Sequence, residues 1–255
     1  MPRGVKRAED VSRLLVEMFG SSLGSETGVI HVAAVAAADL AENRVLRITP
    51  GTPKSAYDAF VLSVSRARAS FIVTTGRILR EEPNLTHDYL CGEETNRALA
   101  SWRRDVVGIR EPVRVLVLTS GRDLDARHPV FSGLRPVIVY TTRSGARAVR
   151  RRVLPTTRIV AADDPNIENV IDFAVNECGA NTVSIEAGPS TTRALYVPSL
   201  KVDELLLSAF HGSMAPSLLG GSFLSADVLH RVFRRSASYE VGNDDGKWSF
   251  HRFVR

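Results

Sequence analysis

The chain has 255 residues, 44% of them hydrophobic and 24% charged, which supplies material for a packed core and excludes a disordered, tail-like protein. Its longest clean apolar run, 29–38, contains His31 and is too short for a membrane helix, while Cys91 and Cys178 alone make neither a disulfide framework nor a zinc site, so a reducing, cytoplasmic setting is expected. The net charge of +5 is carried almost wholly by arginine; one acid-free stretch, 126–162, holds Arg127, Arg135, Arg143, Arg147, Arg150, Arg151, Arg152 and Arg158, but the aromatics are few and build no stacking platform with this run, which argues against a nucleic-acid partner.

In the first twenty residues Arg3, Lys6, Arg7 and Arg13 alternate with Glu9, Asp10 and Glu17, and no apolar signal core follows. Val11, Leu14, Leu15, Met18 and Phe19 recur at helical spacing, predicting an amphipathic helix that ends near Gly20. Residues 1–27 are therefore read as this helix and a linker, and 28–255 as one folded domain. Short runs rich in Val, Ile and Leu then predict strands over 29–37, 70–75, 113–119, 136–141, 158–161, 182–186 and 204–210. Between them helices are expected over 55–68, 93–105, 144–152, 166–178 and 190–196, with Pro165 and Pro189 where a helix would begin. This alternation is the signature of parallel strands joined by helical crossovers. After Gly220 and Gly221 the segments 228–236 and 248–254, separated by a Gly- and Asp-rich stretch, read as an antiparallel hairpin closing the sheet edge.

Parallel sheets bind ligands beyond the carboxyl ends of their strands, so the residues just after each strand carry the functional interest. Two such turns stand out. In the first, Thr75-Gly76-Arg77, the glycine lets backbone approach a phosphate and Arg77 supplies charge. In the second, Glu186-Ala187-Gly188-Pro189-Ser190-Thr191, a glycine again precedes a helix start, with two hydroxyls beside it; Ser190 is alternatively a simple helix cap. Two anion-binding turns on one sheet edge suit a ligand with two phosphates. Neither contains Gly-x-Gly-x-x-Gly. Thr119, Ser120 and Arg143, after the next two strands, are candidates for the adenosine end. Three acids qualify as proton donors: Asp39, Asp58 and Glu186. Each has a structural alternative, as turn former, helix-dipole partner and acceptor of backbone N–H groups respectively; Asp39 is favoured as the catalytic acid.

These segments resemble the reductase domain of the riboflavin-biosynthesis deaminase-reductases. The likeness rests on Thr74-Thr75-Gly76-Arg77-Ile78-Leu79 leading into Pro83-Asn84-Leu85-Thr86, on Glu186-Ala187-Gly188-Pro189-Ser190, and on Val202-Asp203-Glu204-Leu205, and it covers roughly 29–254. It implies an α/β, dihydrofolate-reductase-like fold: a mostly parallel twisted sheet with helices on both faces and a C-terminal antiparallel hairpin. It further implies an NADPH-dependent reductase of a pyrimidine ribosylamine phosphate, usually a homodimer, with the cofactor held by both turns. Thr74 and Arg77 depart from the family's first turn and Ala187 from its second; a Gly-Arg pair is similar to the corresponding turn of dihydrofolate reductases. A zinc deaminase half has no counterpart. Reduction of a different small heterocycle, and an NADPH-binding dimer without turnover, remain alternative functions. Two finer expectations follow. Leu205, Leu206, Leu207 and Phe210, beside Phe223 and Phe233, should form an apolar dimer face. His87 and Asp88 stand where the family places a phosphate-binding arginine, so Asp88 should repel a substrate phosphate unless Arg44 or Arg47 compensates.

Overall fold

A computed structural model describes residues 4–37, 43–122, 124–197, 200–243 and 246–255. In chain order its elements are α1 (Ala8–Phe19), β1 (Gly28–Ala36), β2 (Arg44–Leu46), α2 (Ala56–Arg68), β3 (Phe71–Thr75), α3 (Gly76–Glu81), α4 (Glu93–Asp105), β4 (Arg114–Leu118), β5 (Val137–Thr142), α5 (Arg143–Arg150) and β6 (Arg158–Ala162). There follow α6 (Ile167–Asp172), β7 (Thr182–Ile185), α7 (Pro189–Thr192), β8 (Glu204–His211), β9 (Leu219–Ser222), α8 (Ala226–Val232), β10 (Arg234–Asn243) and β11 (Gly246–Val254). All seven strands expected from the apolar runs are present. The chain divides into two compact units, one of Met1–Arg68, Tyr89–Arg110 and Val202–Arg255, the other of Ala69–Asp88 and Glu111–Lys201.

In the first unit the strands run in the order β10-β11-β8-β1, with β2 beside β1 and β9 beside β2. β1 and β8 are parallel, from Ile30 opposite Glu204 to Ala36 opposite Phe210, whereas β11 lies antiparallel to both β8 and β10. Helix α1 exists because its apolar stripe has a core to enter: Val11, Leu15, Met18 and Phe19 are buried with Phe60 and Val64 of α2, Leu99 and Trp102 of α4, and Phe210, Trp248 and Phe250 of the strands. Asp10 accepts the N–H groups of Lys6 and Arg7 at its start, and Gly20, with φ 68°, ends it by donating to Val16 O at 2.8 Å.

The second unit is wholly parallel, in the order β7-β3-β4-β5-β6. Strands β3, β4 and β5 are mostly apolar and buried, as expected where both faces are covered, whereas the edge strand β6 has no buried residue. Leu79 of α3, Val115 and Val117 of β4, Val137 and Val139 of β5 and Val149 of α5 share one core cluster. Helix α6 widens at its end into a π-turn over Phe173–Glu177, which leaves Phe173 buried with its ring 5.5 Å from that of Tyr140.

Three expectations need correction. The first hairpin arm, placed at 228–236, begins instead as helix α8, because Ser225 caps it by accepting from Val228 N and Asp227 sits in its first turn; the strand arm is β10. Strands β2 and β9 escaped the sequence reading, being three and four residues long. The apolar set offered as a dimer face is not exposed: β8 is an interior strand between β1 and β11, and Leu205, Leu206, Leu207, Phe210 and Phe233 are buried within the chain.

Candidate active site at the carboxyl ends of the parallel strands

Every residue proposed from sequence for cofactor binding falls in the second unit, at the carboxyl end of one of its parallel strands. The chain passes through β3, β4, β5 and β6 in one direction and then sets β7 on the other side of β3. The order therefore reverses between β7 and β3, the kind of point at which open α/β sheets leave a crevice for a ligand. The two turns singled out from sequence, Thr75-Gly76-Arg77 and Glu186 to Thr191, flank that point. Glu186 N–H donates to Val73 O at 2.8 Å and so fixes the second turn to β3.

Local chemistry explains each turn. Thr75 is the N-cap of α3, its Oγ1 accepting from Ile78 N at 3.2 Å. Gly76 is buried because a Cβ there would stand 2.5 Å from Thr119 Oγ1, so glycine is what lets β3 and β4 end side by side. Thr119 in turn accepts from Gly121 N at 3.1 Å, which curls the β4 turn back on itself and leaves Ser120 exposed. Arg77 is exposed and forms an ion pair with Glu81 at 2.7 Å, one helical turn on, a partner that raises the guanidinium pKa further. In the β7 turn Gly188 begins α7, with Pro189 at its first position and Thr191 N and Thr192 N donating to Gly188 O. Ser190 does not cap this helix, and its side chain is exposed.

A third turn, beyond β5, was only touched on from sequence through Arg143. Thr142 caps α5 by accepting from Gly145 N at 3.0 Å, and Arg143 pairs with Asp163 at 2.9 Å. A Cβ on Gly145 would lie 2.1 Å from Thr141 Oγ1 and 2.4 Å from Ser120 O, so the β4 and β5 turns touch through glycine. The signal was legible: Thr-Ser-Gly after β4 and Thr-Arg-Ser-Gly after β5 repeat the pattern of hydroxyl then glycine already used to find the first turn. Together the edge offers backbone N–H groups, hydroxyls and the guanidiniums of Arg77, Arg122 and Arg143 to an extended anion.

Of the three acids, Asp39 lies outside the described residues. Glu186 is half-buried at the end of β7. Asp58 stands in the first turn of α2 in the other unit, where burial pushes its carboxyl pKa up against the opposing influence of the Ser208 hydroxyl. A raised folded-state value means that this group's contribution to stability is full below the ordinary 3.8 and is lost as pH rises through the folded value. Asp58→Asn is therefore expected to raise the melting temperature at neutral pH and to leave it unchanged in strong acid, as differential scanning calorimetry across pH will read.

The repulsion expected from Asp88 is corrected by its partner. The Arg135 guanidinium forms an ion pair with the Asp88 carboxylate, so the acid's charge is balanced by a residue 47 positions away. Arg44 does not serve that purpose, since its guanidinium donates to Gly220 O at 2.8 and 3.1 Å. Among the described residues no helix is long and apolar enough to cross a membrane, and no three His, Cys, Asp or Glu side chains form a metal-binding group.

No protein-family model matches the chain, and no curated protein sequence matches it. Solved structures do. RibD of Acinetobacter baumannii, form 2, superposes with a TM-score of 0.59 at 13% identity, over 91% of this chain and 58% of that one. The riboflavin biosynthesis reductase Rib7 of Saccharomyces cerevisiae gives a TM-score of 0.54 at 10% identity, covering 96% and 100% of the two chains. A pyrimidine reductase-like protein from Corynebacterium diphtheriae gives 0.56 at 16% identity, covering 97% and 98%. The chain thus spans 58–63% of the length of the two RibD structures it matches. Likeness at these identities shows the fold: the α/β, dihydrofolate-reductase-like fold to which the motifs pointed.

Proposed function

We propose that this protein is a cytoplasmic, NADPH-dependent reductase of the riboflavin-biosynthesis type, acting as a homodimer on a pyrimidine ribosylamine phosphate or a closely related heterocycle. The observation that carries this reading is that both glycine turns picked out from sequence flank the reversal of strand order in a fold shared with riboflavin-biosynthesis reductases. In this reading the dinucleotide lies along the carboxyl edge of β7, β3, β4 and β5. Thr75, Gly76 and Arg77 hold one phosphate group, and Glu186, Gly188, Pro189, Ser190 and Thr191 the other. Thr119 and Ser120 meet the adenosine end. The nicotinamide supplies hydride chemistry when bound. The chain's own part is to orient the ring and to deliver a proton, for which Asp39 is the assigned acid.

A surface pair such as Arg77–Glu81 stabilises little, so Arg77 is free to exchange its partner for a ligand phosphate at small cost. Arg77→Ala should weaken NADPH by about 10- to 100-fold, the loss of one charge-assisted hydrogen bond of roughly 1.5–3 kcal/mol, and should affect NADH much less. Fluorescence titration of both cofactors reads this. Equal losses remove Arg77 from the 2′-phosphate, and absence of NADPH binding in the wild type overturns the reductase reading itself.

A further inference from the structure

The parallel unit ends in an edge that no other described part of the chain closes. β6 is the outermost strand and pairs with β5 alone, from Ile138 opposite Arg158 to Thr142 opposite Ala162. In a parallel strand alternate residues turn their N–H and C=O groups to opposite sides, so half of those on β6 point away from β5. Among the described residues no other group bonds them. Natural sheets guard such an edge with proline, lysine, a bulge or an inward charge. Residues 158–162 carry none of these: Ile159, Val160 and Ala162 are half-buried, Ala161 is exposed, and the one charge, Arg158, is drawn onto the Phe173 ring, its guanidinium 5.1 Å from the centroid.

The two faces beside this edge differ in charge. Helix α5 covers one of them: its Ala146 and Val149 are buried, and Ile159 of β6 packs on the cluster that holds Val149. Arg147, Arg150 and Arg151, three and four residues apart, form an exposed stripe on this helix, and no carboxylate pairs with them among the described residues. Asp163, just beyond β6, pairs with Arg143 instead. The opposite face carries Tyr140 and Phe173, and there the Glu177, Asp164 and Asp172 carboxylates add to the effect of burial in raising the phenol pKa of Tyr140. From the β5 turn α5 runs back about 12 Å toward the amino ends of the strands, so Arg150 and Arg151 lie away from the turns assigned to the cofactor.

We propose that the β6 edge is a docking strand for an extended acidic peptide segment of a partner protein, which adds to the sheet beside β6 with its acidic side chains toward α5. An added strand satisfies the open ladder groups, and alternation along the peptide sends every second side chain to the arginine stripe. A nucleic acid fits less well, because its backbone has no N–H donors for the ladder. A second copy of this chain is opposed by charge: two β6 strands paired about a two-fold axis run antiparallel and set α5 beside its own copy, which brings the two arginine stripes together. The edge residues belong to none of the cofactor turns, so this assignment does not depend on the reductase reading.

Fluorescence anisotropy of the full chain with a labelled seven-residue peptide alternating Glu and Val tests this. Binding with a Kd on the order of 100 μM or tighter is expected. The same peptide N-methylated at every backbone nitrogen, and a counterpart alternating Lys and Val, should each bind at least about tenfold more weakly, the first because it cannot donate to the ladder and the second because it meets like charge. The triple variant Arg147→Glu, Arg150→Glu, Arg151→Glu changes only exposed side chains and should lose the acidic peptide by a similar factor while gaining the basic one. Circular dichroism checks that it is folded, and the peptide comparison on the wild type stands without it. No binding up to about 1 mM acidic peptide overturns the proposal. So does equal binding of the N-methylated peptide, which would reduce the edge to a charged surface, or tighter binding of a labelled ten-nucleotide single strand. A wild-type dimer that the peptide dissociates in sedimentation would place a second copy on β6 and overturn it as well.

Discussion

Glu204→Gln is expected to destabilise the chain by about 3–5 kcal/mol, the usual consequence of removing one partner from a buried ion pair. Glu204 opens β8 and is buried between two guanidiniums: Arg68 Nη2 donates to its Oε2 at 2.7 Å and Arg252 Nε to its Oε1 at 2.8 Å. Arg252 Nη2 also pairs with Glu26. Arg68 has no exposure at all, and among the described residues its Nε and Nη1 are without a hydrogen-bond partner, so Glu204 carries most of the compensation for a fully buried charge. The Gln variant leaves two guanidiniums facing one carboxylate in a low-dielectric site. Burial alone would push the Glu204 pKa up, yet the Arg68 and Arg252 charges hold it below its ordinary 4.5. A depressed folded-state value means stability that is present above 4.5 and lost as pH falls through the folded value. Urea unfolding of the wild type should accordingly show a falling midpoint in acid, and the variant a lower midpoint with a flatter acid limb. Joint replacement of Arg68, Glu204 and Arg252 by apolar residues should recover much of the loss, because such groups need no compensation. A midpoint in Glu204→Gln equal to that of the wild type would mean that the cluster is hydrated and not a buried ionic lock.

The sequence made the parallel unit readable because its strands are mostly apolar runs bounded by turn residues, and the β7 and β3 turns could be found from glycine alone. What it could not show depends on register across long separations. Asp88 read as an uncompensated anion because its counter-charge, Arg135, comes from the approach to β5. The four leucine and phenylalanine positions of β8 read as an exposed edge because nothing in the local pattern says that β11 pairs with β8 from Lys247 to Val254. Residues 226–232 carry as much β- as α-character, and the Ser225 cap decides the matter.

The second large effect separates glycines that the fold requires from one that a ligand would require. At Gly145 a Cβ would meet Thr141 Oγ1 at 2.1 Å and the backbone oxygen of Ser120 at 2.4 Å, distances no side chain tolerates. Gly145→Ala must therefore push the β4 and β5 turns apart and should destabilise the protein by about 1–3 kcal/mol or more. Gly188 is the opposite case. Its φ of −69° suits any residue, and an added Cβ would meet nothing within 4 Å. Among the described residues nothing requires glycine there, and Gly188→Ala should leave stability within about 0.5 kcal/mol of the wild type. If the cofactor's phosphate packs against that bare backbone, as the proposed function requires, a methyl group occupies its place, and NADPH affinity should fall by about tenfold or more, worth 1.4 kcal/mol or more. Measuring urea midpoints and NADPH titrations on both variants gives a crossed pattern: Gly145→Ala loses stability and binding together, Gly188→Ala loses binding alone. Full NADPH affinity in Gly188→Ala would remove the β7 turn from the cofactor site, leaving the β3, β4 and β5 turns to hold the dinucleotide.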